Sequence, residues 1–545
     1  MRRKIAMCLA LALVASAATC LTACKQENYT ENTVVIYREY NGLGYENDDK
    51  VEKALEEKFK RDTGESIDLI MELCSTSSIN QKVIGALSTD ERIDAVFSHY
   101  STDSTITEMI TKGVELKDLT ELAKTYAPKL LAMYNEKSDP DNLALHKGVY
   151  DGKLYGLSSI ERNSCYGMII NKRLMATTSF NPDEYDVANE NYKSLTIDEF
   201  VQMLKEMKSA YEKSHGGETM RPLVGAPWEI EYFVSPVFEN EGYTRYVYED
   251  GKCIPAYLSE TYSDVLSFER KLEDEKLWYE NPSDTAAAVR DFYAGKSAVY
   301  TSWPEATSQI TVARKLKAAT GDDCVIIAPL KKDAETESLG NQRMASAFFG
   351  MVVPKKAKNT ELLMKFLNWL YSDKANYELA KHGVEGVDWV KGETKDGYET
   401  YSYPADKKAA YEEKPSYSGV YCLLTNVCLS DRLYADYTDA EWNRVTETFA
   451  FKSWPANGFT DEGLNLVGTP ANDRTLSKQS SSLGKVYTSV RGYAWSVAPL
   501  PEGKTIESMH ASLREMYTSG QIDALVNHWT KEYDREAASR KSFKI

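Results

Sequence analysis

Several places in this chain set aromatic rings and planar polar side chains close together. They are Tyr40-Asn41, Ser98-His99-Tyr100, Glu161-Arg162-Asn163, Trp228-Glu229-Ile230-Glu231-Tyr232, Trp303-Pro304-Glu305 and Asp388-Trp389. These residue types suit non-covalent recognition of a sugar. A flat ring covers the apolar C–H face of a pyranose, while carboxylate, amide and guanidinium groups bridge its hydroxyls. The candidate contacts are Tyr40, Asn41, Tyr100, Glu161, Arg162, Trp228, Tyr232, Trp303, Glu305 and Trp389. Each has an ordinary alternative, because such rings also fill cores. Arg162 could bridge a hydroxyl, hold the carboxylate of an acidic sugar, or form an ion pair between two parts of the fold.

No short signature of covalent chemistry accompanies these clusters. The chain lacks a Gly-x-Ser-x-Gly elbow, a His-Glu-x-x-His pair and a P-loop. Its six histidines are scattered, with no pair at metal-ligand spacing. Asn47 stands where a dinucleotide fingerprint beginning at Gly42-Leu43-Gly44 needs a third glycine, and Leu143 stands where a calcium loop from Asp139 needs an oxygen ligand. No metal, cofactor or catalytic residue is expected. A surface glycoside hydrolase or lyase is the rival reading, since its paired carboxylates carry no short motif.

The elements that position these residues alternate strand and helix. Thr33 to Tyr37, Ile67 to Met71 and Ile93 to Phe97 read as strands. The helix between the first two repeats Val51, Leu55 and Phe59 and stops at Gly64. Such βαβ units build an open parallel sheet whose ligands sit beyond the carboxyl ends of its strands, which puts Tyr40-Asn41 and His99-Tyr100 on one rim. Further on, Tyr246 to Ile254 reads as a hairpin turning at Asp250-Gly251, Thr360 to His382 as a long helix, and Ile506 to Arg540 as two helices broken at Ser519-Gly520. Residues 391–500 are rich in Tyr and Ser and have weak periodicity.

The amino terminus carries a different message. Met1-Arg2-Arg3-Lys4 precedes an apolar run from Ile5 to Ala18, which has the size of a signal-peptide core and is short for a membrane span. It ends in Leu21-Thr22-Ala23-Cys24, which resembles the lipobox of bacterial lipoproteins. That resemblance implies removal of residues 1–23, acylation of Cys24 and a short tether over 24–32 on the outer face of the membrane. Losing the three leader cations takes the net charge from −17 to −20. A chain this acidic is repelled by nucleic acid and anionic headgroups, so lipid must supply the attachment. Nine cysteines form no dense framework, although a Cys422–Cys428 bridge is one option.

Five segments in order resemble the sugar- and oligosaccharide-binding class of bacterial extracellular solute-binding proteins, the receptors of ABC importers. They are Tyr150-Asp151-Gly152-Lys153-Leu154-Tyr155-Gly156-Leu157-Ser158, Asp291 to Tyr300, Gly350 to Asn359, Gly383-Val384-Glu385-Gly386-Val387-Asp388-Trp389, and Met516 to Asp523. Ser158 departs from the proline usual at the first crossing between lobes. The resemblance implies an α/β periplasmic-binding-protein-like fold: two lobes, a hinge and a ligand cleft between them. The expected lobes are 33–150 with 325–385, and 155–320 with 386–545. Trp303 falls where family members present a sugar-stacking ring. The implied partners are a carbohydrate and membrane permease subunits, with the receptor itself monomeric. A receptor that reports to a sensor kinase would share this plan.

Overall fold

The computed structural model describes residues 29–543 except 41–44, 76–77, 90, 99–101, 136–142, 163, 166, 239–245, 280–284, 303–305, 345–348, 452 and 455–472. The main strands, numbered in chain order, are β1 (Thr33–Glu39), β2 (Asp68–Cys74), β3 (Ala95–Ser98), β4 (Gly156–Ser158), β5 (Gly167–Asn171), β6 (Leu223–Val224), β7 (Val299–Ser302), β8 (Cys324–Ile327) and β9 (Gly350–Val352). The helices that matter for function are α1 (Asp48–Thr63), α2 (Pro227–Val234), α3 (Tyr262–Asp274), α4 (Ala306–Thr320), α5 (Asp439–Ala450), α6 (Arg474–Ala494) and α7 (Asp523–Ser542).

The run Val34-Val35-Ile36 leaves no polar face, so β1 must be covered on both sides, as parallel interior strands are. All three residues are at most 1% exposed. β1 pairs in parallel with β2 and β3, and β9 then runs antiparallel between β3 and β4, giving the order β2-β1-β3-β9-β4. α1 buries Val51, Leu55 and Phe59 against this sheet. Asp48 and Asp49 sit in its first turn, Lys60 and Arg61 in its last, each at the end the helix dipole favours. The completely buried Asp94 staples the sheet: one oxygen accepts from Val35 N at 3.0 Å, the other from Lys358 N and Asn359 N at 2.8 and 2.9 Å.

The second lobe is built on a sheet in the order β8-β5-β7-β6, with β5 antiparallel to both its neighbours. Along β5 the side chains alternate between two cores. Met168 and Ile170 join Phe200, Leu204 and Trp278 on one face, and Ile169 joins Ile310, Leu316 and Phe292 on the other. Two layers of helix around an open sheet in each lobe make the fold α/β, as expected.

Lobe membership differs from the expected boundaries at three places. β4 pairs with β9, so 156–158 belong to the first sheet, whereas β8 pairs with β5 and belongs to the second. Residues 417–429 pack into the first-lobe core through Tyr417, Val420, Tyr421, Leu423 and Leu424. Residues 433–451 cross to the second lobe, where Leu433, Trp442 and Val445 bury against Ile326 and Leu316. The Tyr-rich stretch is thus a connector between lobes, and its irregular periodicity follows from facing two cores in turn. The helices between Arg474 and Ser542 form a helical module around Leu483, Val490, Leu513 and Trp529 with the hairpin Tyr246–Pro255. That hairpin turns at Asp250-Gly251, both residues at positive φ (49° and 75°).

Two further expectations change. The long helix from Thr360 breaks after Leu370, because Asp373 caps a new helix, Lys374–His382, by accepting from Ala375 N. No disulfide joins Cys422 to Cys428; the Cys422 thiol donates to Leu424 O at 3.7 Å.

Candidate functional site

The most completely described part of the site is α2. The chain leaves β6 through Gly225, where a Cβ would meet Thr301 Oγ1 at 2.3 Å, so only glycine lets β6 and β7 approach this closely. Pro227 then opens the helix at its first position, where its missing N–H costs nothing. The Glu229 carboxylate turns back to accept from Ala226 N at 2.6 Å and from the Thr301 hydroxyl at 3.0 Å. Burial pushes this carboxyl up to about 7, against the pull of those two donors. Ile230, Phe233 and Val234 bury in the second-lobe core. Trp228 and Tyr232, one turn apart, remain half-buried, with ring centroids 5.7 Å apart and planes at 89°. α2 stands at the carboxyl end of β6 and packs on the lobe-crossing strand Asn341–Met344.

Tyr40 ends β1, its N–H donating to Cys74 O at 2.7 Å. Its ring meets Tyr45 edge to face at 6.5 Å, and its hydroxyl shares hydrogen bonds with Tyr45 and Ser418. Burial raises its pKa above the ordinary tyrosine value. The Tyr45 ring in turn lies under Lys414 at 5.0 Å. Tyr45, Lys414 and Ser418 are neighbours of Tyr40 that pattern reading missed, since two of the three arrive from the connector.

Glu161 and Arg162 follow the first lobe crossing, where Ile160 bridges to Asn426. Arg162 pairs with Asp431 and lies over Phe449 at 4.2 Å and Tyr398 at 5.1 Å. Of the three roles open to Arg162, the structure occupies it with the ion pair. Asp431 belongs to the connector, and Phe449 comes from α5 of the second lobe, so the guanidinium sits at the seam between lobes.

Trp389 departs from the expectation of an open platform. It is 2% exposed, its indole N–H donates to Gly383 O at 3.0 Å, and its ring packs between His382 and Arg432. The motif around it is a tight structural loop. Asp388 accepts from Val384 N, Asn47 Nδ2 and Ser416 Oγ, and Gly383 at φ +88° leaves no room for a Cβ, which would meet Asp388 Oδ2 at 2.5 Å. The loop anchors the connector to the start of α1, and that anchoring buries the ring. Asn41, Tyr100, Trp303 and Glu305 lie outside the described residues, as does Cys24. Among the described residues no cluster of His, Cys, Asp and Glu could hold a metal ion, and no helix is long and apolar enough to cross a membrane.

The candidate residues among those described are therefore an aromatic pair on a clamped helix in the second lobe, a tyrosine just after a strand in the first, and a stacked arginine at the seam. Such residues offer ring faces and hydroxyls to a ligand. Known proteins share the scaffold. Lipoprotein LipO of Bacillus subtilis (strain 168) is 26% identical over 301 residues, which are 52% of this chain; the chain spans 55% of the length of that relative. The alginate-binding protein AlgQ2 superposes with a TM-score of 0.63 at 14% identity, over 92% of this chain and 98% of that one. The N-glycan transport solute binding protein NgtS of Streptococcus pneumoniae gives 0.60 at 17% identity, over 94% and 99%. These two likenesses speak for the two-lobed fold. The profile of the bacterial extracellular solute-binding proteins, a group of binding proteins and not of enzymes, matches residues 46–377, which take in the second sheet, every strand of the first except β1, Trp228 and Tyr232, and it is to that family that this chain belongs.

Proposed function

We propose that this protein is the lipid-anchored receptor of an ABC importer, which captures an oligosaccharide between its lobes and delivers it to the membrane permease. The observation that carries the reading is the half-buried Trp228–Tyr232 pair on a helix held at the strand ends of a solute-binding scaffold. Solved structures of the same fold add support: one is an alginate-binding protein, one a complex with Man5GlcNAc and one a complex with kestose. The lipobox-like Leu21-Thr22-Ala23-Cys24 and the lipoprotein relative support the anchor. In this reading the ligand touches both lobes only when they shut, so binding shifts the population toward the closed form, and that form docks on the permease. No bond is made or broken.

The test is a thermal-shift and small-angle scattering screen of the mature protein against neutral and acidic oligosaccharides. A true ligand at a hundredfold excess over Kd stabilises the folded state by about 2.7 kcal/mol and reduces the radius of gyration. A broad panel giving neither shift nor compaction would sink the proposal. Separately, Cys24→Ser should move the protein from the membrane fraction to the soluble one; retention in the membrane would refute the anchor.

A further inference from the structure

Helix α2 is eight residues long, too short to hold its own shape in water. Its position must come from what grips it, and two buried carboxylates do so from different sides. Glu229 ties it to β6 and β7, as described. Glu231, only 4% exposed, points the other way, into the helical module. Its Oε1 accepts from the Tyr262 hydroxyl of α3 and from Arg491 Nη2 of α6, both at 3.1 Å. Arg491 is itself held flat: its guanidinium lies 4.1 Å from the centre of the Trp495 ring and 5.3 Å from that of Tyr487. Trp495 is fixed in turn by donating its indole N–H to the buried Glu269 carboxylate at 2.9 Å. The grip thus arrives from a residue 260 positions along the chain, through a stacked, charge-paired arginine.

Geometry links this grip to the aromatic pair. Trp228 lies three residues before Glu231 and Tyr232 one after it, on the same two turns of helix. Releasing Glu231 frees α2 to rotate or slide, and the rings cannot stay behind. Loss of Arg491 also leaves a buried carboxylate without its cation, a strong force for rearrangement.

We propose that Arg491 is a positioning residue for ligand capture: through Glu231 it sets the rotation of α2 and so the angle at which Trp228 and Tyr232 meet a sugar ring. The inference rests on the reading of that aromatic pair as the ligand platform. It gives the carboxyl-terminal module a task in ligand capture.

The experiment compares wild-type mature protein with R491M, R491K, the double variant E231Q/R491M and W228A. Hydrogen exchange across residues 226–235 is measured without ligand, together with melting temperature. Affinity is measured for kestose, Man5GlcNAc and an alginate oligosaccharide. R491M should speed exchange in α2 at least about tenfold and weaken whichever glycan binds wild type by roughly three- to tenfold, the value of one well-placed aromatic contact. R491K should recover part of both. E231Q/R491M should recover part of the melting temperature, because Glu231 is no longer a buried charge while Glu269 still lacks its cation, without recovering affinity; a purely structural role would recover both in the same measure. Unchanged exchange in R491M overturns the proposal, as does unchanged affinity in R491M where W228A binds weakly. If W228A binds as well as wild type, the platform reading fails, and exchange in α2 still decides whether Arg491 holds the helix.

Discussion

The connector's hold on the second lobe rests heavily on one ion pair, and Arg444→Met tests it. Arg444 on α5 donates to both oxygens of Asp186, through Nε at 3.0 Å and Nη2 at 2.5 Å, and also to Cys324 O at 2.6 Å. The side chains are 11% and 4% exposed, so water screens the pair little. Methionine keeps most of the volume and removes the charge. Asp186 is then left buried with only backbone donors, Ala188 N at 3.2 Å and Ile326 N at 3.5 Å. Breaking a buried pair from one side costs about 3–5 kcal/mol, whereas replacing both partners costs far less. R444M should therefore lose about that much stability, and D186N/R444M should recover at least about 2 kcal/mol of it. Urea denaturation of all four members of the cycle, followed by tryptophan fluorescence, gives the coupling energy, and hydrogen exchange over 433–451 locates the loss. A coupling below about 0.5 kcal/mol would refute the reasoning, since residues in true contact exceed that. Because α5 also carries Phe449 over Arg162, the same variant should loosen the seam between lobes.

Three other outcomes are expected. Burial holds Glu229 near 7, above its unfolded value of 4.5, so the folded state binds the extra proton between those values; stability falls as pH rises from about 4.5 to 7, by up to about 1.4 kcal/mol per pH unit, and Glu229→Gln should flatten that slope in a pH series of melting curves. The end of α7 ties the helical module to the first lobe through Arg535 with Asp151 at 3.3 Å, the Tyr150 ring under Arg535 at 4.6 Å, and Phe543 buried in the first-lobe core. Phe543→Ala should speed exchange over 536–543 at least about tenfold while leaving the melting temperature within a few degrees, and protection equal to wild type would show the tie to be idle. Gly350→Ala on β9 would drive a Cβ to 1.8 Å from Thr102 Oγ1 and 2.6 Å from Leu157 O, so it should destabilise by about 1–3 kcal/mol in the same denaturation assay.

What pattern reading recovered and what it missed divide along a physical line. Val51, Leu55 and Phe59 face one core for the length of one helix, so their spacing alone named the element, its stop at Gly64 and its buried face. Asp250-Gly251 demanded positive φ at two successive positions, and that local requirement showed in the residue types. Pairing partners have no such local mark. β8 reads as an apolar strand from Cys324 to Ile327, and nothing in those four residues says that they meet Asn171 to Met168 in place of the first sheet. The connector defeats periodicity for a related reason: Tyr417 faces the first-lobe core and Leu433, only sixteen residues on, faces the second, so no single face persists long enough to be read. The site shows the same division. Trp228 and Tyr232 stand one helical turn apart, so their adjacency could be read from spacing alone. Trp389 looked identical in type, and its fate was decided by Asp388 bonding to Asn47, some 340 residues away. The role proposed for Arg491 is of the same kind: a contact between residues 260 positions apart in the chain would set where the Trp228 and Tyr232 rings point.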